Sequence, residues 1–350
     1  MKIAPIHNLM LKQDHLQPIL LHTGQHYDTS MSKVFFEDLQ MPQPDIYLGV
    51  GSGTHAQQTA QVMTKIEAVM LQNRPDLVMV VGDVNSTLAA SVVAAKLWIP
   101  VAHVEAGLRS FDREMPEEIN RILTDALAEF LFVTEKSGQQ NLLNEGIASQ
   151  RIYFVGNVMI DSLLMYRRQA EKSFILQRLN VKEKEYALLT MHRPSNVDTS
   201  EKLTNILHAF EKIQRKITIL FPIHPRTRKM LYEFGLQRQI ERMKNLILLD
   251  PIGYLDFLKL MENATFILTD SGGIQEESTV MGIPCLTLRK NTERPITIEQ
   301  GTNLLVGSDT EKIVEESLKI LSGHGKTGQI PPLWDGKASE RIVQIIEKKL

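Results

Sequence analysis

The amino-acid sequence predicts an α/β protein made of two doubly wound, Rossmann-like domains, and three observations support this prediction. The chain has 350 residues, of which 43% are hydrophobic and 23% are charged, a globular composition at a length that favours two domains. Short apolar runs rich in β-branched residues alternate with longer amphipathic segments, which is typical of parallel strands joined by helices. This alternation ends near residue 158 and then starts again.

The N-terminal domain is predicted to span residues 1–158, and it is expected to lack its first strand. The chain starts inside the segment IAPIHNLMLKQ, which has helical spacing, and PILLHTG has the pattern of a second strand. A first strand usually lies centrally in such a sheet, so two strands are expected to have no neighbour. The later strands and helices are predicted at 75–83, 86–98, 99–107, 116–130 and 131–135.

The C-terminal domain is predicted to span residues 159–335, and residues 336–350 are predicted to form a last helix. This helix has a stripe of apolar side chains at helical spacing, so it can pack against either domain, and packing on the N-terminal domain is one of the two predictions. The strands and helices of the C-terminal domain are predicted at 186–192, 202–214, 217–225, 264–270, 272–282 and 283–288.

Composition excludes several classes of function. Lys and Arg number 39 against 41 Asp and Glu, so no basic excess favours nucleic acid or an anionic membrane. The one cysteine, Cys285, excludes an intramolecular disulfide, and no apolar run is long enough to span a membrane. The start has no targeting pattern, and a cytoplasmic location is predicted. The histidines have no metal-ligand spacing and no dinucleotide fingerprint is complete, so neither a metal nor a cofactor is predicted.

Polar segments follow four of the predicted strands, where open α/β sheets bind ligands. In TDSGGIQEES, Ser271, Gly272 and Gly273 precede a helix whose N-terminal amides favour an anion. Gln275 and Glu276 lie in the first turn of that helix, where a carboxylate accepts hydrogen bonds from ribose hydroxyls. The structural alternative is a tight turn capped by Ser271.

The other three segments supply acids and cations. Asp83 ends one strand in GDVNST, and Glu105 ends the next in HVEAGLR. Glu117 and Arg121 are four residues apart and share a helix face, an arrangement that is also typical of an ordinary surface ion pair. In MHRPSN, His192 and Arg193 directly follow a strand, and a cation beside a helix N-terminus suits a diphosphate. The alternative is that His192 is a buried structural histidine.

Taken together, these segments resemble the non-hydrolysing UDP-N-acetylglucosamine 2-epimerase family, which has the GT-B fold. HVEAGLR followed by DSGGIQEE, in this order and spacing, is highly specific for that family. The resemblance extends over nearly the whole chain and is carried by KIAP (2–5), TGQHYD (23–28), GDVNST (82–87), HVEAGLRS (103–110), PEEINR (116–121), GN (156–157), MHRPSN (191–196), DSGGIQEE (270–277), TERP (292–295), EQGTN (299–303) and DGKASERI (335–342).

The resemblance implies reversible interconversion of UDP-GlcNAc and UDP-ManNAc, through anti-elimination of UDP to 2-acetamidoglucal and its re-addition. It also implies a homodimer and acidic residues of the N-terminal domain that face a diphosphate bound by the C-terminal domain. The catalytic residues implied are Asp83, Glu105, Glu117, Arg121 and His192. The substrate-binding residues implied are Lys2, Arg193, Ser271, Gly272, Gly273, Gln275 and Glu276. A second, regulatory nucleotide-sugar site in the family corresponds to segments that contain Gln25, His26 and Arg109.

The sequence departs from the family at its start. Family members open with a strand and a GTRPE-like turn before KMAP, whereas this chain begins Met1-Lys2-Ile3-Ala4-Pro5. The turn normally provides an arginine near the diphosphate, so we expect the sequence to omit native residues or the activity to be weak. The alternatives are therefore a hydrolysing epimerase, another GT-B nucleotide-sugar enzyme, and a catalytically weak nucleotide-sugar-binding protein.

Overall fold

The computed structural model describes residues 1–24 and 42–350, and these residues form two compact units. Unit 1 consists of Met1–Leu164 together with Pro332–Leu350, and unit 2 consists of Met165–Pro331. In both units, helices alternate with strands that pair in parallel. The predicted α/β fold class is therefore confirmed.

Unit 1 contains two parallel sheets. Strands β3 to β6 form a four-stranded sheet in chain order, and β1 and β2 form a separate two-stranded sheet. Among the described residues no strand precedes α1; β1 pairs with β2 and β3 pairs with β4, so β1 and β3 each have one sheet neighbour rather than none. The elements are α1 (Ile3–Met10), β1 (Leu21–His22), β2 (Ile46–Tyr47), α2 (His55–Asn73), β3 (Val78–Val81), α3 (Asn85–Lys96), β4 (Val101–Ala106), α4 (Pro116–Leu127), β5 (Phe130–Val133), α5 (Lys136–Asn144), β6 (Ile152–Phe154), α6 (Val158–Ala170, which continues into unit 2) and, at the C-terminus, α16 (Ala338–Lys349).

Unit 2 contains one six-stranded parallel sheet with the strand order β12-β11-β10-β7-β8-β9. The chain order reverses between the neighbours β7 and β10, so the loops that follow these two strands diverge at the switch point where such sheets bind ligands. The elements are α7 (Ile175–Arg178), β7 (Tyr186–Thr190), α8 (Pro194–Val197), α9 (Ser200–Ile213), β8 (Thr218–Pro222), α10 (Pro225–Glu233), α11 (Gln237–Glu241), β9 (Leu246–Leu249), α12 (Tyr254–Asn263), β10 (Phe266–Thr269), α13 (Gly272–Met281), β11 (Cys285–Thr287), α14 (Ile296–Glu299), β12 (Asn303–Leu305) and α15 (Thr310–Leu321).

The C-terminal segment packs within unit 1. Helix α16 contacts α1, and its apolar residues Ile342 and Ile346 are buried in the same cluster as Phe132 of β5. The indole nitrogen of the buried Trp334 donates a hydrogen bond to the carbonyl oxygen of Thr134 over 3.0 Å. The Asp161 carboxylate accepts hydrogen bonds from the first amides of α16, which otherwise have no partner within the helix.

A helix that crosses a bilayer needs about 20 consecutive, mostly apolar residues. Within residues 1–24 and 42–350, no helix has both the length and the apolar character needed to cross a membrane.

Candidate active site

Glu105 lies near the end of β4 in an unusual backbone conformation. The register of β4 against β5 shifts between Val104 and Ala106, and Glu105 in this bulge has a φ of +74°. Its side chain is buried and forms an ion pair with Lys2. Strain of this kind concentrates at functional sites, so the conformation identifies Glu105 as a candidate for chemistry.

Asp83 follows β3 and is held by Arg121 of α4. Arg121 Nη1 lies 2.5 Å from Asp83 Oδ2, and the Asn120 side chain donates to the Asp83 carbonyl oxygen over 2.9 Å. The ion pair of Glu105 is close by, because a β-carbon built on Gly82 would lie 3.7 Å from Glu105 Oε2. Unit 1 therefore brings together two of the predicted acids and two cations at adjacent strand ends.

Helix α4 presents two acidic residues in its first turn, as Pro116 at its first position predicts. Glu117 is partly exposed, whereas Glu118 is buried and binds Arg121 Nη2 through Oε2 over 2.6 Å. The sequence places Glu118 in the first turn of this helix, inside the PEEINR motif, but did not lead to its prediction as a site residue. The spacing of four residues favoured Glu117, whereas the ion pair with Glu118 uses a spacing of three within the helix.

The ionisation of Glu118 is favoured by its hydrogen bonds. Burial by itself raises the pKa of this carboxyl, but the hydrogen bonds from Ser110 and Arg121 outweigh burial and lower it. Glu118 is therefore a buried anion whose charge depends on the groups around it.

A buried network that the sequence analysis did not identify lies beneath these acids. His103 Nδ1 is 2.6 Å from Asp125 Oδ1, and His103 Nε2 is 2.9 Å from the carbonyl oxygen of Gly82. The Gly107 amide donates to Asp125 Oδ2 over 3.0 Å. Burial opposes the ionisation of Asp125, yet His103 and Arg109 lower its pKa. The network connects the backbone beside Asp83 to the turn that follows Glu105.

Arg109 belongs to this network. Its guanidinium lies 2.7 Å from Asp125 and binds both oxygens of Glu145, over 2.7 and 2.6 Å. Burial lowers the pKa of Arg109, but Glu145 and Asp125 raise it overall. Gln25 and His26, which the resemblance assigns to the same regulatory region, lie outside the described residues, so this assignment stays a prediction.

In unit 2, the glycine-rich loop leads from β10 into α13. Gly272 and Gly273 are the first residues of α13, and Ser271 occupies the N-cap position without a side-chain capping bond. The structural alternative of a turn capped by the Ser271 hydroxyl is therefore not what the structure has. The N-terminal amides of α13 point out of the helix, an arrangement that suits phosphate oxygens.

Gln275 and Glu276 are fully buried and bind neighbouring segments of unit 2. The Gln275 side chain donates to the Ser271 carbonyl oxygen over 3.1 Å and accepts from Thr292 over 2.8 Å. Glu276 Oε1 accepts from Arg294 Nε over 2.5 Å. These contacts fasten the loop that contains Thr292 and Arg294 against the start of α13. Arg294, inside the TERP motif, was not predicted as a site residue.

His192 and Arg193 lie at the neighbouring strand end, on the turn after β7. The buried carboxylate of Asp270 accepts hydrogen bonds from both backbone amides, over 3.0 Å from His192 and 2.9 Å from Arg193, and from the Asn196 side chain. Burial lowers the pKa of His192, with the nearby arginines acting in the same direction and Asp270 opposing them. Asp270 ties the two polar loops of the switch point together, a role that the sequence did not reveal.

Among the described residues, no group of three or more His, Cys, Asp and Glu side chains is arranged to hold a metal ion. Residues 9–347 match the family model described as UDP-N-acetylglucosamine 2-epimerase. The chain belongs to the UDP-N-acetylglucosamine 2-epimerase family. All site residues predicted from the sequence, except Lys2, lie within the matched range.

The chain is also similar, over nearly its whole length, to other epimerases. The chain is 46% identical to a UDP-N-acetylglucosamine 2-epimerase of Methanocaldococcus jannaschii, over 99% of this chain and 95% of the relative. A crystal structure of the enzyme from that organism, in complex with UDP-GlcNAc and UDP, superposes with a TM-score of 0.92 at 45% identity, covering 99% of this chain and 96% of that one. The UDP-2,3-diacetamido-2,3-dideoxy-D-glucuronate 2-epimerase of Pseudomonas aeruginosa is 40% identical, over 99% of this chain and 96% of the relative.

Proposed function

We propose that the chain catalyses the reversible epimerisation of UDP-GlcNAc to UDP-ManNAc at C2 of the sugar, without net hydrolysis. The C2 hydrogen is weakly acidic, because the adjacent C1 is an acetal carbon and not a carbonyl. Removal of the C2 proton is therefore coupled to departure of UDP. The C1–O bond breaks with its electron pair on UDP, and 2-acetamidoglucal forms. A proton then adds to C2 on the other face, and UDP re-forms its bond to C1.

The residues of unit 1 supply the proton-transfer groups in this proposal. Asp83, Glu105 and Glu117 exchange the C2 proton, and the ion pairs with Arg121 and Lys2 orient the first two carboxylates. The single observation that carries the proposal is the pairing of Asp83 with Arg121 beside the strained Glu105–Lys2 pair. Two carboxylates that are buried or half-buried, each paired with its own cation, suit a proton-transfer site better than an ordinary surface ion pair.

The residues of unit 2 hold the nucleotide in this proposal. Ser271, Gly272 and Gly273 bind the diphosphate through the start of α13, with His192 and Arg193 as neighbouring donors or cations. Glu276 accepts hydrogen bonds from the ribose, and Gln275 holds the loop in place. Binding UDP throughout the reaction keeps the leaving group available for re-addition, which distinguishes epimerisation from hydrolysis.

Isotope exchange tests the reaction. In deuterated water, incubation with UDP-GlcNAc is expected to place deuterium at C2 and to yield UDP-ManNAc, measured by NMR and mass spectrometry. Free ManNAc as the only sugar product contradicts the non-hydrolysing proposal and favours a hydrolysing epimerase. UDP binding without any exchange favours a nucleotide-sugar-binding protein with little activity.

A second substrate is suggested by the relative from P. aeruginosa, which is 40% identical over 99% of this chain. The name of that relative specifies a uronate sugar with two acetamido groups. We therefore propose assaying UDP-2,3-diacetamido-2,3-dideoxy-D-glucuronate beside UDP-GlcNAc. A larger kcat/KM for the uronate would replace the proposed substrate but keep the proposed chemistry, because both reactions invert C2.

We also propose that the enzyme is a cytoplasmic homodimer. The single cysteine, which is buried, suits a reducing compartment. A dimer is supported by exposed apolar residues at the ends of three helices that pack side by side: Leu71 of α2, Trp98 after α3 and Leu127 of α4. Apolar groups at neighbouring positions on a surface are typical of subunit interfaces.

A further inference from the structure

Glu118 of α4 is a buried carboxylate that several hydrogen-bond donors surround. Its side chain is 1% exposed, and both carboxylate oxygens accept hydrogen bonds. Oε2 accepts from the Ser110 amide over 2.9 Å, from the Ser110 hydroxyl over 3.0 Å, and from Arg121. Oε1 accepts from the Phe111 amide over 3.0 Å. A buried carboxylate with this many donors is held in one orientation.

The contact between Glu118 and Arg121 determines how Arg121 meets Asp83. Arg121 uses Nε and Nη2 for Glu118, over 3.2 and 2.6 Å, and only Nη1 for Asp83, over 2.5 Å. Pairs of arginine and carboxylate are frequently bidentate, with two parallel hydrogen bonds. Because Glu118 occupies one edge of the guanidinium, Arg121 binds Asp83 through Oδ2, and the second oxygen is left for another partner.

The same carboxylate fixes the loop that follows β4. Phe111 has a φ of +58° and a side chain that is 79% exposed. Left-handed backbone is unfavourable for an aromatic residue, so it requires compensating contacts. The hydrogen bonds from the Ser110 and Phe111 amides to Glu118 provide them.

We propose that Glu118 is a positioning residue of the epimerisation, a proposal that rests on the function proposed above. Glu118 holds Arg121 so that Arg121 stabilises Asp83 through one oxygen and leaves the other for proton transfer at C2. Glu118 itself touches neither the substrate nor the reacting atoms. Its removal is therefore expected to reduce the chemical step more than substrate binding.

Glu118→Gln tests the proposal, because the amide keeps the size of the side chain and removes its charge. We expect kcat to fall about 100-fold, the loss typical of a misplaced reacting group, while KM changes less than about threefold. Glu118→Asp restores the charge one methylene further back and is expected to recover part of kcat. A crystal structure of Glu118→Gln is expected to have both edges of Arg121 on Asp83.

Asp161→Asn is the matched control. Asp161 is also a buried carboxylate of unit 1 that accepts several hydrogen bonds, from the amides of Ala338 and Ser339 and from the Ser339 hydroxyl, but it caps α16. This variant is expected to lower Tm and to leave kcat of the folded enzyme unchanged. If both variants reduce kcat alike, the effect of Glu118 is general destabilisation and the proposal is wrong.

The remaining outcomes are also decisive. A folded Glu118→Gln variant with kcat within about threefold of the wild type overturns the proposal, since misplacement of Asp83 has a larger effect. If this variant does not fold, Glu118→Asp replaces it, and wild-type kcat in that variant overturns the proposal. Absence of C2 exchange in the wild type refutes the proposed function instead, and the crystal structure then decides whether Glu118 positions Arg121.

Discussion

Glu105 has a left-handed backbone conformation, which favours glycine over all other residue types. At a φ of +74°, the β-carbon of an L-residue crowds the neighbouring carbonyl oxygen, and glycine avoids this contact. The residue at this strained position is nevertheless a glutamate, whose side chain is buried and paired with Lys2. A strained acidic residue is expected where its carboxylate takes part in the reaction.

Two substitutions at this position separate strain from chemistry. Glu105→Gln and Glu105→Gly both remove the carboxylate, so both are expected to lower turnover at least about 100-fold in the isotope exchange assay. The glycine variant also relieves the left-handed strain, and we expect it to be about 1 kcal/mol more stable than the glutamine variant in urea unfolding. A less stable glycine variant would mean that the surrounding structure, and not strain, determines the stability at this site.

At the scale of secondary-structure elements, β4 and α5 approach so closely that only glycine fits between them. A β-carbon built on Gly107 would lie 2.3 Å from the carbonyl oxygen of Gly138, and Gly107 has a φ of +78°. Gly107→Ala therefore forces the turn after β4 away from α5, and we expect a loss of more than about 3 kcal/mol in the free energy of unfolding.

Gly146→Ala is the control for backbone strain at the Gly107 position. Gly146 has a φ of +82°, but a β-carbon there would meet no atom within 4 Å. We expect this variant to lose about 1 kcal/mol, the penalty of the left-handed conformation alone. Equal losses in the two alanine variants would show that the close approach of β4 and α5 contributes nothing.

The contact between α12 and α13 makes stability depend on pH. Glu277 of α13 is buried and accepts a hydrogen bond from Tyr254 of α12 over 2.7 Å. Burial raises the pKa of Glu277 from 4.5 to about 7, the nearby Glu276 adds to this effect, and the hydrogen bond from Tyr254 opposes it. The folded state therefore binds this proton more tightly than the unfolded state, so the stability that Glu277 contributes is lost as pH rises from about 4.5 to about 7.

Glu277→Gln removes this dependence, because glutamine resembles the protonated acid and still accepts from Tyr254. At pH 4.5 the variant and the wild type are expected to be similarly stable. Above pH 7 the variant is expected to be more stable by about 3 kcal/mol, at about 1.4 kcal/mol for each unit of pKa shift. Chemical denaturation at several pH values measures the difference, and a difference that does not vary with pH would contradict the raised pKa.

The motifs of the sequence were sufficient to predict the strand ends where polar groups collect. Asp83, Glu105 and the loop from Ser271 each lie at the end of an apolar run, and apolar runs of this length in alternation with helices predict buried strands. The family was likewise predicted from HVEAGLR and DSGGIQEE, and the family model confirms it. Local patterns therefore reveal which residues reach a strand end.

Partners could not be predicted in the same way, because they depend on packing between distant segments. Helical spacing is sufficient to bring Glu117 and Glu118 near Arg121, because they lie four and three residues from it. The contact of Arg121 with Asp83, 38 positions away, has no such local signal. Asp270 was visible inside DSGGIQEE, yet its hydrogen bonds to the turn after β7 span 77 and 78 positions. No periodicity within one segment contains such information.

At the scale of the whole molecule, the apolar residues at the ends of α2, α3 and α4 predict how copies of the chain associate. Trp98 is 94% exposed, more than any other large apolar side chain described. Trp98→Asp places a charge at the proposed dimer contact and is expected to give monomers in sedimentation velocity. Phe174→Asp, at a side chain of unit 2 that is 77% exposed, is the control and is expected to sediment as the wild type does. An unchanged dimer in the Trp98 variant would place the contact elsewhere.

Unit 1 is discontinuous along the chain, because Met1–Leu164 is joined in it by Pro332–Leu350. During synthesis on the ribosome, Trp334 and α16 emerge only after every residue of unit 2. The apolar surface that contacts Ile342 and Ile346 in the folded protein therefore stays uncovered while residues 165–331 are translated. Unit 2 is a single continuous stretch and can fold first, whereas unit 1 requires residues 332–350, which are synthesised after all of unit 2.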